Sequence, residues 1–99
     1  MFTYQIGWPF WKIAARVGFP LRLRVEVFQD LEEGGFVARS ADFLKDGGVF
    51  VCEGDTVQDL EREIRYTAID LLEEILHVRI QEGGKPRIQT IPTLSLVPA

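Results

Sequence analysis

The sequence predicts a small α+β domain: a three-stranded antiparallel sheet, a long helix and then an edge strand (β-β-β-α-β), preceded by a short Trp-rich N-terminal helix. Two periodicities indicate it. Apolar residues alternate with mostly polar ones over residues 21–28, as in a strand with one buried face. Over residues 57–76 they recur at spacings of three and four, as in an amphipathic helix. At 99 residues the chain has the size of one domain.

The composition restricts the class of protein. A hydrophobic fraction of 46% is too high for a disordered chain. The single cysteine, Cys52, cannot form an internal disulfide, which suits a reducing compartment, and neither a membrane-spanning run nor a signal peptide is recognisable. We therefore expect a cytoplasmic protein without membrane contact. A net charge of −4 disfavours direct DNA binding and favours contact with a basic protein.

Residues 7–18 predict the N-terminal helix, with Pro9 at its first position and Gly18 at its end. Phe10, Ile13, Ala14 and Val17 form one apolar edge, and Trp8, Trp11 and Ala15 form a second. So short a helix is unstable in water alone, so it must dock. Its own sheet or that of a sister subunit, a partner protein, and a membrane surface are the alternatives. We therefore divide the chain into an N-terminal extension (1–20) and an α+β domain (21–99).

The remaining strands are bounded by turn residues. An acidic, glycine-containing turn over 29–35 separates the first strand from a second at 36–40, and the two form a predicted hairpin. A connection over 41–48 leads to a third strand at 49–53. After the long helix, residues 87–97 are rich in Ile, Thr and Leu, but Pro92 interrupts them, so a strand there is expected at an edge or bent at the proline.

The long helix is predicted to begin after Gly54 and to end near His77. Either Asp55 or Thr56 is suited to cap its first turn, because a side-chain oxygen there accepts from free backbone N–H groups. Gly83 and Gly84 are expected to end any helix that continues.

One helix covers one face of a sheet, and the other face of this sheet is not purely polar. Phe28 lies opposite the apolar series of its strand, and Phe36 and Val37 point in opposite directions. We expect the N-terminal helix or another subunit to cover that second face, and a homodimer or higher oligomer to form. The residues assigned to self-association are Trp8, Phe10, Trp11 and Phe28.

The sequence offers little chemistry. His77 is the only histidine and is interpreted as structural or solvated, and Cys52 as a packed strand residue. Neither a nucleophile–histidine set nor Cys/His metal-ligand spacing is present, and the glycine pairs lack a phosphate-loop pattern. The carboxylates are interpreted as solvated loop charges; they are Asp30, Glu32, Glu33, Asp42, Asp46, Glu53 and Asp55. No catalytic residue, metal or cofactor is therefore expected.

Two motifs point to a family. Residues 30–43 (Asp-Leu-Glu-Glu-Gly-Gly-Phe-Val-Ala-Arg-Ser-Ala-Asp-Phe) and 52–56 (Cys-Glu-Gly-Asp-Thr), followed by a Leu- and Glu-rich helix, resemble the HicB family of antitoxins. The likeness spans about residues 21–76. It implies a partial ribonuclease-H-like fold without catalytic activity, which binds and silences a small basic RNA-cleaving toxin, usually as a dimer or higher oligomer.

The chain departs from the family pattern in three places. A longer loop, residues 43–48, replaces a Pro-Gly pair, the Trp-rich N-terminal segment lies outside the family core, and residues 85–99 lack a DNA-binding motif. We therefore expect a stand-alone HicB-like bacterial antitoxin whose partner-binding residues are Asp30, Glu32, Glu33 and Phe36. The alternatives are a structural homo-oligomer and a residual metal-dependent nuclease, which would need carboxylates converging from several strands.

Overall fold

The computed structural model describes residues 2–80 and 87–95, with side chains for 2–80 and 87–91. The described elements are, in order, β1 (Tyr4–Gln5), α1 (Trp11–Arg16), β2 (Leu21–Gln29), β3 (Phe36–Ser40), a 3₁₀ turn (Leu44–Asp46), β4 (Phe50–Gly54), α2 (Val57–Leu76) and β5 (Ile88–Ser95). This confirms a mixed α+β organisation with a sheet and one long helix. The two-residue strand β1 is an element that the sequence pattern does not predict.

The described strands form one mixed sheet around β2. β2 pairs antiparallel with β3, which pairs antiparallel with β4, whereas β1 and β5 both run parallel to β2. Leu21 and Arg22 pair with β1 and also with β5, so these two strands lie on opposite sides of β2. β1 and β3 therefore share one side of β2, each along a different part of its length.

The position of β5 confirms the interpretation of Pro92. Within the described residues β5 pairs with β2 alone, and the Leu21 N–H donates to the Arg87 carbonyl at 2.7 Å. Odd-numbered residues of β5 therefore turn their backbone polar groups toward β2, and even-numbered ones turn them outward. The missing N–H of Pro92 falls on the outward side, where no ladder bond is lost.

Helix α2 begins and ends close to the predicted residues. The Thr56 hydroxyl accepts from the Asp59 N–H at 3.1 Å, so Thr56 and not Asp55 is the cap, and His77 ends the helix in the left-handed region with φ 56°. Every fourth residue from Leu60 to Leu76 is buried. This stripe packs on β4 and β3. The predicted stop at Gly83 and Gly84 lies outside the described residues.

The N-terminal segment differs from the prediction. Helix α1 begins at Trp11 instead of Pro9, because Phe10 takes a left-handed conformation with φ 67° and residues 7–10 form turns. The Trp8 N–H donates to the Gln5 carbonyl, and the Tyr4 hydroxyl donates to the Pro9 carbonyl. Both hydrogen bonds join the turn at residues 7–10 to β1. The helix is therefore only six residues long.

The side on which α1 packs also differs from one expectation. Trp11 and Ala15 join the same core as Leu72 and Leu76 of α2, and the Arg16 guanidinium donates to the Leu76 carbonyl at 3.1 Å. The helix thus extends the α2 layer of its own chain, and neither described helix lies on the opposite face of the sheet, the far face. The geometric reason is β1, which places residues 7–16 beside the C-terminal end of α2.

Candidate protein-binding surfaces

The acidic turn between β2 and β3 is held in shape by one of its own carboxylates. Asp30 Oδ1 accepts from the Glu32 N–H at 3.0 Å and from the Glu33 N–H at 3.1 Å, and the Asp30 N–H donates to the Gly35 carbonyl. Glu32 and Glu33 are exposed. Asp30 therefore orders the loop, while the two glutamates present their charge to solvent.

The acidic turn lies against the start of α2. A Cβ placed on Gly35 would lie 3.0 Å from the Gly54 carbonyl and 3.8 Å from the Asp55 carboxylate, and the φ of Gly35 is +84°. A side chain at this position would therefore both strain the backbone and separate the turn from the helix entry. The close approach brings the Asp55 carboxylate to the same edge of the molecule as Glu32 and Glu33.

An apolar groove begins beside this acidic edge. It has a volume of about 450 Å³ and lies between one flank of α2 and the part of the sheet formed by β2, β3 and β5. Its walls are Val27, Phe36, Val57, Leu60, Glu61, Ile64, Arg65, Ala68, Ile88 and Thr90. Phe36, which follows the acidic turn directly, is half-buried in it. Of the predicted partner-binding residues, Phe36 lines the groove, and the turn that carries Asp30, Glu32 and Glu33 precedes it in the same hairpin.

A second apolar surface surrounds α1. The outer side of this helix exposes 75% of Phe10, 60% of Ile13 and 66% of Val17. Beside it, the rings of Phe2 and Phe19 meet edge to face at 5.9 Å, and the rings of Tyr4 and Trp8 do so at the same distance. Phe2, Trp8 and Phe19 are also exposed. We name these exposed residues the aromatic surface: Phe2, Trp8, Phe10, Ile13, Val17 and Phe19.

The other two residues assigned to self-association are buried in this chain. Trp11 is 4% exposed, its ring meets Phe43 edge to face at 6.3 Å, and its Nε1–H donates to Asp46 at 3.2 Å. Phe28 is 8% exposed on the far face of the sheet, beneath the Arg39 guanidinium at 4.2 Å from its ring centroid. Of the four, Trp8 and Phe10 remain available at the surface.

The far face of the sheet is open and mixed in character. Paired strand residues share a face, so Arg24, Glu26, Arg39, Val51 and Glu53 all lie there with Phe28. Each of these five is exposed. Charges of both signs interrupt the apolar side chains, so this face is a weaker candidate for partner burial than the groove.

Two carboxylates interpreted as solvated loop charges are held within the chain instead. The Asp46 side chain is 12% exposed and lies 2.8 Å from Lys12 Nζ, and Asp42 is buried. Asp42 is 6% exposed and accepts from Gln5 Nε2 at 2.8 Å, from the Arg24 N–H at 2.7 Å and from the Arg24 guanidinium at 3.0 and 3.2 Å. The Ser40 hydroxyl accepts from the Asp42 N–H. The Ser-Ala-Asp sequence at the end of the strand could have indicated an ordered turn here, since a serine side chain favours a hydrogen bond to the backbone two residues later.

The single cysteine and the single histidine lie in different environments. Cys52 is buried, and burial together with the Glu63 carboxylate raises the pKa of its thiol to about 11, although a hydrogen bond with Thr67 acts in the opposite direction. His77 is exposed at the end of α2. Among the residues that the structure describes, no three His, Cys, Asp or Glu side chains converge as metal ligands would.

No protein-family model, curated protein or solved structure matches this chain. The function of these surfaces is therefore inferred from their residues alone. Neither helix in the described part of the chain has the length and apolar character needed to cross a bilayer.

Proposed function

We propose that this chain is a non-enzymatic protein-binding module, and specifically a HicB-like antitoxin that neutralises a small basic RNA-cleaving toxin in the bacterial cytoplasm. The observation that carries the proposal is the acidic turn with exposed glutamates, which leads directly into Phe36, a lining residue of an apolar groove. A basic protein meets complementary charge at the turn and apolar surface beyond it.

In this mechanism the antitoxin acts by occlusion. Glu32 and Glu33 face the cations with which the toxin holds RNA phosphates, which raises the rate of encounter. Burial of apolar side chains against the groove then slows dissociation. In this mechanism the elements from β2 to β5 are the partial ribonuclease-H-like fold of the family, which serves as a binding scaffold without metal or nuclease chemistry.

The test is co-expression with a small basic protein encoded beside this chain. We expect the two to co-purify and the Glu32→Lys/Glu33→Lys variant to lose most of the neighbour. The matched control is Asp70→Lys/Glu74→Lys, which changes the net charge equally on the exposed side of α2. An absent neighbour, or one that fails to bind the wild-type chain, would remove the main support for the antitoxin proposal.

Self-association is a second candidate function, favoured by the aromatic surface. Taking about 200 Å² for a large aromatic side chain, the exposed fractions of its residues amount to roughly 700 Å². A standard interface buries ~800 Å² per partner, so one further copy covers this surface. Sedimentation over a range of concentrations tests it: a wild-type chain that remains monomeric at high micromolar concentration excludes this role.

A further inference from the structure

The groove exists because α2 covers only part of the sheet. A helix is about 10 Å across and neighbouring strands are about 4.8 Å apart, so one helix shields about two strands. Helix α2 packs on β4 and β3, and its buried stripe leaves the adjoining part of β2 and β5 beside it as the groove floor. Among the described residues, this part of the α2 layer beside Val27, Ile88 and Thr90 is therefore not covered by a helix.

The dimensions of the groove also favour a helix. Its α2 wall runs from Val57 to Ala68, which at 1.5 Å per residue is roughly 16 Å, or three turns. A strand added at the β5 edge is disfavoured, because Pro92 offers no N–H on the outward side. The groove, moreover, lies on the face of the sheet and not at its edge, so its occupant packs through side chains.

No described helix of a second copy fits this position. Helix α1 has six residues, and its cations are already engaged: Lys12 with Asp46 at 2.8 Å and Arg16 with the Leu76 carbonyl. The apolar stripe of α2 is buried within its own chain. Among the described helices of this chain none is therefore available for the groove, which leaves a helix of a different protein as the occupant to test.

The charge at the ends and walls of the groove defines the chemistry of that protein. Glu32, Glu33 and Asp55 are exposed at the acidic edge, and Glu61 adds a carboxylate on the α2 wall, which also carries Arg65. We infer that the groove binds one amphipathic helix of a basic partner. Its apolar residues, at i, i+3/i+4 and i+7, lie along α2, and its Lys and Arg residues lie at the acidic turn. This inference rests on the proposed function and specifies its mode of contact.

The probe is a synthetic amphipathic peptide of about four turns, with leucines at i, i+3/i+4 and i+7 and lysines toward one end. A peptide of the same composition with the leucines distributed around the helix is the control. We expect the full chain to bind the amphipathic peptide about tenfold more tightly than the control peptide, by fluorescence anisotropy. Equal binding of the two peptides would contradict the inference.

A pair of substitutions separates apolar contact from charge attraction. Val57→Glu/Thr90→Glu places carboxylates on opposite walls of the groove at exposed positions, so the fold is retained. Simple charge attraction predicts tighter binding of the lysine-rich peptide to this variant, whereas groove binding predicts about tenfold weaker binding. Glu32→Lys/Glu33→Lys is expected to weaken binding as well, and Asp70→Lys/Glu74→Lys to leave it unchanged.

Amide NMR spectra of the full chain locate the peptide. We expect shifts at residues 57–68, 27 and 88–90, and none on the aromatic surface. Shifts confined to the aromatic surface would overturn the inference. So would a chain that self-associates through the groove and that the peptide dissociates, because a second copy would then be the occupant of the groove.

If the co-purified neighbour binds equally well to Val57→Glu/Thr90→Glu, the helix inference fails while the antitoxin proposal stands. If the peptide binds as expected and no neighbour does, the antitoxin proposal fails and the groove remains a helix-binding site.

Discussion

At Asp42 a single carboxylate joins three parts of the chain. It accepts from Gln5 in β1 and from both the backbone and the side chain of Arg24 in β2, and it lies in the loop that leads to Phe43. Phe43 is fully buried and stacks on Phe50. The carboxylate thus fixes the loop that supplies the centre of the core.

We predict that Asp42→Ala lowers the free energy of unfolding by about 3 kcal/mol, because it leaves buried donors without an acceptor. Urea denaturation measures the change. Glu26→Ala is the control: Glu26 is an exposed carboxylate on the same strand as Arg24, and its loss is expected to change stability by no more than about 0.5 kcal/mol. Equal losses in the two variants would contradict the assigned role of Asp42.

Cys52 gives a pH prediction. Its pKa is raised from 9.0 to about 11 in the folded chain, chiefly by burial. Between these values the unfolded chain loses a proton that the folded chain retains, so this contribution to stability is complete below pH 9.0 and is lost as the pH rises toward 11.

The measurement is urea denaturation of wild type and Cys52→Ala across alkaline pH. We expect the stability difference between them to stay constant below about pH 8.5 and to shift against the wild type above it. In the native state the thiol is also expected to react slowly with thiol reagents, since little thiolate forms at neutral pH. Rapid reaction of the folded chain at pH 7 would show that Cys52 is not buried.

Among the elements, helix α2 has an N-terminal cap whose residue can be identified by substitution. The sequence left Asp55 and Thr56 open, and the structure assigns Thr56, whose hydroxyl accepts from the Asp59 N–H. We predict that Thr56→Ala lowers the free energy of unfolding by about 1 kcal/mol and that Asp55→Ala lowers it by less than half as much. Thermal denaturation followed by circular dichroism compares them, and the opposite ranking would reassign the cap.

Local patterns account for what the sequence predicted well. The long helix carries both its periodicity and its cap within the chain segment itself, and β2 carries its own alternation, so each is determined locally. β1 has two residues and no period to detect; it forms because the Tyr4 N–H donates to the Pro20 carbonyl and the Ile6 N–H to the Arg22 carbonyl. That pairing also decides where α1 begins, which explains why β1 was not predicted and why the start of α1 was misplaced.

In the candidate sites, too, only the features that depend on neighbouring residues in the sequence could be predicted. Glu32, Glu33 and Phe36 are close in sequence, so their proximity could be predicted from the hairpin alone. The groove combines Val27, part of α2 and Ile88, which are distant in sequence and meet only in the folded chain. The burial of Trp11 depends likewise on Asp46 and Phe43, from the loop before β4. Such contacts leave no local pattern.

On the scale of the whole molecule, three of the surfaces with exposed apolar side chains are candidates for assembly: the groove, the aromatic surface and the far face of the sheet. On the far face, Val51 is 52% and Ile91 38% exposed among charged residues. The residues predicted for self-association lie on two of these surfaces: Trp8 and Phe10 belong to the aromatic surface and Phe28 to the far face, while Trp11 is buried. Experiments on the assembly must therefore distinguish the two.

Trp11→Ala is a poor choice for that purpose. Trp11 is buried against Phe43, so its truncation is expected to destabilise the chain by about 3 kcal/mol or more whether or not the chain associates. A change in oligomeric state would then report unfolding as readily as a lost interface.

Ile13→Lys and Val51→Lys form a better pair. Each replaces an aliphatic side chain that is more than half exposed, one on the outer side of α1 and the other on the far face, and each adds the same charge. We predict that sedimentation shows about tenfold weaker self-association for Ile13→Lys and wild-type behaviour for Val51→Lys, because a lysine at an apolar contact must be desolvated without a partner. The reverse result would move the interface to the far face, where Phe28 lies beneath Arg39. Circular dichroism of both variants is the control, since a change in sedimentation reports on the interface only while the fold is retained.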